Sequence, residues 1–350
     1  MPPPPSSTKA LNAILPLITA GQAYEAHQKA RTFASRYSKS GSYDVAIDVL
    51  YQSAMELFKA GHLGSGTDLS QFLIEVYELK DEKFGEESRA RLTQLISLVG
   101  TEGTWRKTMI GGSIAWSAKH GIYATGDPGL HGFIGELFYK EQDFVAAEPH
   151  LIASGSRESA KTLANMLFTW SRNGAEPGTY ASKGVIPYLL RGNILAARAF
   201  LSQFLSLLIG ARPSVLATPS PVVINPAGSE AASPDELYLT TEPVLNFLQL
   251  AIRTCQRAKN PGVQAKQVQE MWVRLCGSYQ SRRGLVAQPG YREALGEIGT
   301  LFFDLPPPRA AANNNALQDM MSSFLGGKPG GSGGPPKRTL DPPMQGITLD

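Results

Sequence analysis

The chain has 350 residues, 42% hydrophobic and 18% charged, enough apolar material for a sizeable core and too much for wholesale disorder. A net charge of +3 is mild for a nucleic-acid binder. Two cysteines, Cys255 and Cys276, cannot build a disulfide framework or a four-ligand zinc site, and the longest uncharged apolar run, residues 199–211, falls short of the roughly 20 residues of a spanning helix. A cytosolic protein with no membrane insertion is the expectation.

Pro2–Pro5 opens the chain, and residues 1–8 read as disordered. Leu11, Ile14, Leu15 and Ile18 then recur at i, i+3, i+4, i+7, a helical stripe rather than the core of a secretory signal. Helical periodicity continues over 22–38, 43–59, 67–80, 86–98, 104–120 and 127–141. It resumes over 144–153, 157–171, 180–191, 194–209, 244–257, 264–282 and 291–304. Asp127-Pro128 is an N-cap followed by proline at the first helical position, and Ser65-x-x-Asp68 reads as a capping box. Between helices, Gly41-x-Tyr43-x-x-Ala46, Gln142-x-Phe144-x-x-Ala147 and Gly192-x-Ile194-x-x-Ala197 share one spacing, with Gly21-x-Ala23-x-x-Ala26 as a degenerate copy. A tight turn, a core residue and an alanine for close approach is the logic of tetratricopeptide-like hairpins, here at irregular intervals.

The expected fold is therefore all-α: an irregular α-solenoid of about fourteen helices in antiparallel hairpins. A single globular helical domain is the alternative. The β-prone runs Pro221–Ile224 and Glu236–Thr240 flank a segment rich in Ala, Ser, Gly and Pro and read as a small inserted β-hairpin or as a disordered loop. The expected halves are 9–155 and 156–304, followed by a Pro/Gly-rich tail over 305–350. In that tail Leu317, Met320, Met321 and Phe324 form a short amphipathic segment at 317–325, suited to a partner's groove or to the chain's own surface.

Motifs of catalysis are missing. There is no His-Glu-x-x-His, Cys-x-x-Cys, EF-hand loop or Gly-x-Ser-x-Gly, and Gly64-Ser-Gly-Thr-Asp68 lacks the Gly-Lys-Ser/Thr ending of a phosphate loop. That run reads as a glycine-rich connection between helices, and His131 as a residue bonded inside a hairpin. No enzyme, cofactor or metal is expected.

Interaction faces are more telling. On the 22–38 helix Ala23, Ala26, Ala30, Phe33 and Tyr37 make the buried stripe. Tyr24, His27, Gln28, Arg31 and Ser35 make a second one, either a solvated face or an interface of the kind that favours tyrosine and arginine. Asp68, Glu75 and Glu78 share one side of the next-but-one helix, a solvated face or one that steers a charged partner. Val222, Val223, Ile224, Leu237 and Leu239 of the hairpin, with Phe247, Leu248, Leu250 and Ile252 of the following helix, offer more apolar surface than one neighbouring helix would cover.

Five segments in order carry a resemblance. They are Tyr24-Glu-Ala-His-Gln28 with Arg31 and Arg36-Tyr37, then Gly64-Ser-Gly-Thr-Asp-Leu69 with Leu73-Ile-Glu-Val-Tyr77, and Gly126-Asp-Pro-x-Leu-His131. Leu245-Asn-Phe-Leu-Gln-Leu250 with Thr254-Cys-Gln256 follows, and the run from Gln318 to Gly326 closes the set. Together they resemble the Golgi-to-ER traffic protein 4 family over about 21–327, with departures in the loop 217–234 and the tail. The resemblance implies an α-solenoid adaptor of the guided-entry pathway for tail-anchored membrane proteins. It implies that the N-terminal half binds a cytosolic targeting ATPase through Tyr24, His27, Gln28, Arg31 and Arg36, with Asp68, Glu75 and Glu78 as a regulatory acidic face. The C-terminal half would hold a ubiquitin-like subunit at Val222, Ile224, Leu237, Leu239, Phe247, Leu248 and Leu250, and through it a tetratricopeptide co-chaperone. Helical hairpins alone would also allow a proteasome-lid-type scaffold or a helical-repeat RNA-binding protein.

Overall fold

The computed structural model describes residues 6–307 apart from 102, 173–175, 225–234 and 260–263. The side chains of Ile224 and Asp235 are also outside the description, as is the segment 317–325. The fold is all-α, with fourteen α-helices and one two-stranded sheet among the described residues. The chain divides into two compact units, 1–143 and 144–350, where the sequence reading places its halves at 155/156.

The first unit contains α1 (Thr8–Thr19), α2 (Ala23–Lys39), α3 (Tyr43–Lys59), α4 (Leu63–Leu79), α5 (Glu86–Leu98), α6 (Trp105–His120) and α7 (Pro128–Lys140). Helices α1 to α4 pack each on the next, α2 also reaches α4, and α4 then packs on α6 while α5 packs on α3 and α7. The first three connections follow from one device. Gly21, Gly41 and Gly61 take φ of +77°, +75° and +82°, a region open to glycine. Each N–H then returns to the carbonyl three back, and the following N–H to the carbonyl five back, closing the Schellman turn that ends a helix. The shared spacing in the sequence is this turn plus the first turn of the next helix. Gly192 (φ +74°) repeats it in the second unit, and Gln142 (φ +64°) does so without being glycine.

One expectation is corrected by the same device. Gly61-x-Leu63-x-x-Gly66 is a further copy with glycine in place of alanine, so α4 starts at Leu63 and Gly64–Asp68 is helix rather than connection. The expected capping box at Ser65 does not form; the residue before the helix is His62. Gly66 is needed because a Cβ there would lie 2.6 Å from the ring of Phe58 on α3. Elsewhere the caps follow the residues: Asp127 Oδ1 accepts from the Leu130 N–H at 2.8 Å, and Pro128 opens α7. His131 is buried, its Nε2 3.0 Å from the Thr125 carbonyl.

The second unit contains α8 (Phe144–Ser154), α9 (Arg157–Ser171), α10 (Pro177–Leu190), α11 (Ile194–Ala211), β1 (Val222–Ile224), β2 (Asp235–Leu237), α12 (Pro243–Ala258), α13 (Ala265–Gln280) and α14 (Pro289–Phe303). Among the described residues α11 alone is long and apolar enough to cross a bilayer, because it extends back across Arg198 to Ile194. Its Ala197, Phe200, Phe204 and Leu208 are instead fully buried, and the helix packs on α9 and α10.

The inserted hairpin is real. β1 and β2 are antiparallel, with Val222 opposite Leu237. The second strand is shorter than the β-prone run, because residues beyond Leu237 turn to a different partner. Main-chain bonds Ala217 N–H to Leu239 O (2.8 Å) and Thr241 N–H to Val215 O (2.8 Å) pin its far end. On the other side α12 supplies side chains in place of a strand. Gln249 accepts from the Tyr238 N–H at 3.0 Å and donates to the Tyr238 carbonyl at 2.8 Å. Asn246 does the same for Thr240 at 2.9 and 2.7 Å, and Arg253 donates to the Glu236 carbonyl at 2.6 Å.

Candidate functional site

Helix α2 turns Ala23, Ala26, Ala30 and Ala34 inward, so its buried stripe is narrower than expected: Phe33 and Tyr37 are only partly covered. Small residues let α2 lie close to its neighbours, and its opposite face stands in solvent. Tyr24 is 77% exposed, which excludes packing against the preceding helix. Gln28 and Arg36 are exposed as well.

His27 and Arg31 are tied to α4. Asp68 Oδ2 accepts from His27 Nε2 at 2.7 Å and from Arg31 Nη1 at 2.5 Å. The Arg31 guanidinium also lies over the Phe72 ring, 5.2 Å from its centre, a cation–π contact. Partial burial pushes the Asp68 carboxyl up. Hydrogen bonds from His27 and Arg31, with their charge, outweigh that and hold it below the ordinary carboxylate range. The acidic face is therefore divided. Glu78 pairs with Lys119 of α6 at 2.9 Å, which lowers its pKa, while Glu75 is exposed with no ion pair among the described residues.

Beside this network runs a shallow groove of about 420 Å³ lined by Arg31, Thr32, Ser35, Arg36, Lys39 and Phe72. It brings Arg31 and Arg36 together, although the helical wheel places Arg36 off the Tyr24 stripe. Thr32, Lys39 and Phe72 are its members that sequence reasoning missed. Lys39 sits three residues beyond Arg36, one turn along the same face, and that spacing was the available signal. No acidic side chain lines the groove, so it presents positive charge.

In the second unit Val222 and Val223 are 43% and 55% exposed. Leu237, Phe247 and Leu248 are buried in the unit's own core, and Leu239 and Leu250 are partly covered. These last five are therefore not open surface. Sequence reasoning gave no such role to Asn246, Gln249 and Arg253, whose i, i+3, i+7 spacing on α12 is what holds the strand. Among the described residues no group of three His, Cys, Asp or Glu side chains is placed to hold a metal ion.

A comparison with known families matches residues 40–325 to the one described as Golgi to ER traffic protein 4. The chain belongs to that family. The Golgi to ER traffic protein 4 of Aspergillus fumigatus is 32% identical over 303 residues, covering 82% of this chain and 81% of that one. The human homolog is 27% identical over 290 residues, covering 82% and 77%. Among solved structures, the crystal structure of C. therm. Get4 superposes with a TM-score of 0.74 at 28% identity, covering 96% of this chain and 99% of that chain. The resemblance read from the five sequence segments is thus confirmed. The family match takes in the acidic helix and the hairpin, and begins after the Tyr24–Arg36 stripe.

Proposed function

We propose that this Golgi to ER traffic protein 4 family member is a non-enzymatic cytosolic adaptor that helps deliver tail-anchored membrane proteins to the endoplasmic reticulum. Its first unit binds the cytosolic targeting ATPase through Tyr24, His27, Gln28, Arg31 and Arg36. Its second unit holds a ubiquitin-like subunit at the β-hairpin and α12, and that subunit recruits the tetratricopeptide co-chaperone that brings the client. Chemistry then belongs to the ATPase, and the adaptor contributes proximity.

The observation that carries the reading is the face of α2. An exposed tyrosine stands two turns from an arginine that a neighbouring helix holds in place and that lines a basic groove with a phenyl wall. Tyrosine and arginine dominate interface energetics because both give large contact area and directed polar groups. Arg31→Glu is expected to weaken ATPase binding by about 2 kcal/mol or more, measured by calorimetry. The fold should be little disturbed, with stability changed by about 1 kcal/mol at most, since Arg31 is 42% exposed. Undiminished binding by the charge-reversed protein would overturn the assignment.

A further inference from the structure

Two helices contribute to this face, α2 with His27 and Arg31 and α4 with Asp68 and Phe72. His27 and Arg31 are four apart, one turn, on α2; Asp68 and Phe72 are four apart on α4. The two pairs meet: Asp68 Oδ2 receives both cationic-type donors, and Phe72 receives the flat face of Arg31. An ionised carboxylate only accepts, so the proton of a neutral His27 ring sits on Nε2 and Nδ1 is left as an acceptor. Gln28 Nε2 lies 3.5 Å from that Nδ1. One carboxylate therefore orders His27 and Arg31 directly and sets the ring nitrogen that Gln28 meets. Its other oxygen makes no hydrogen bond among the described residues.

We propose that Asp68 is a positioning residue that holds His27 and Arg31 of α2 in their partner-binding orientation from across the helix–helix contact. This rests on the reading of α2 as the ATPase-binding face. A long arginine side chain that is already held loses less freedom on binding than one that samples many rotamers. Asp68 then acts on the partner through His27 and Arg31. Tyr24 makes no hydrogen bond or ring contact with this network among the described residues and serves as the internal control.

The test uses the full chain and the targeting ATPase. Binding is measured for Asp68→Ala, Asp68→Asn, Arg31→Ala, the double variant Asp68→Ala/Arg31→Ala, and Tyr24→Ala, and the imidazole nitrogen resonances of His27 are recorded in the free protein. Asp68→Ala should weaken binding about tenfold with Arg31 present and at least threefold less than that with Arg31 removed, the non-additivity of residues in one network. Asp68→Asn, which keeps one acceptor oxygen, should recover part of the loss. The His27 nitrogen shifts should move in Asp68→Ala. An equal loss in both Arg31 backgrounds, or no loss beside a weakened Tyr24→Ala, would overturn the proposal. If Tyr24→Ala and Arg31→Ala both bind like the wild type, the ATPase-face reading fails. The His27 shifts then decide the Asp68 tie by themselves, and unchanged shifts reject it.

Discussion

Asp68 carries more of the first unit's chemistry than its place on a solvent-facing helix indicates. Its carboxyl is held below the ordinary range, so its contribution to folding is present when the pH is above the unfolded-state value. That contribution is lost as the pH falls through the depressed folded value. Asp68→Ala should therefore lower the urea midpoint more at neutral pH than at acid pH, because the deficit shrinks as the wild-type carboxylate takes up a proton. An equal deficit at both pH values would show that packing, not charge, is what the side chain supplies. The neighbouring Arg36 and Lys39 have no acid beside them in the groove, and both are exposed. Charge displayed this way attracts over about a Debye length, so binding at this face should weaken as salt rises.

Among the elements, α4 shows best what the sequence reveals and what it conceals. Thirteen helical stripes and the α1 pattern were legible because apolar periodicity is a direct image of burial. The start of α4 was not, since glycine at 64 and 66 signals a connection locally and is used here for close approach to α3. Two substitutions separate these uses of glycine. Gly41→Ala meets no atom within 4 Å but forces alanine to φ +75°, and should cost about 1 kcal/mol. Gly66→Ala keeps an ordinary helical backbone and would stabilise an exposed helix by about 1 kcal/mol. Its Cβ would instead strike the Phe58 ring, and a net destabilisation of about 1–3 kcal/mol is expected from denaturant unfolding. A stabilised Gly66→Ala would show that α3 and α4 yield to one another. In the hairpin the strand residues were legible from β-propensity. The grip of α12 was not, because Asn246, Gln249 and Arg253 look like an ordinary solvated face until a strand is laid across them.

At the scale of the whole molecule, each compact unit carries its own candidate face, and the two should fail separately. Val222→Ser/Val223→Ser alters only exposed side chains and leaves the α12 contacts in place. It is expected to reduce co-purification of the ubiquitin-like subunit while ATPase binding is untouched, and Arg31→Glu should do the reverse. Loss of both partners from either variant would mean that the faces are not independent. The apolar face should also be less sensitive to salt than the basic one. The fold and the polar face of α2 were visible in the residues; the clamp from α4 and the groove were not, because both arise from helices 40 positions apart along the chain. The anchoring of the hairpin has one more consequence. Its base is fastened by α12 and by main-chain bonds at Val215–Thr241 and Ala217–Leu239, none of which involves residues between Ile224 and Asp235. Extra length there is charged only as loop closure, about 0.6 kcal/mol per doubling. A reporter domain inserted between the two strands is therefore expected to leave both partner faces working.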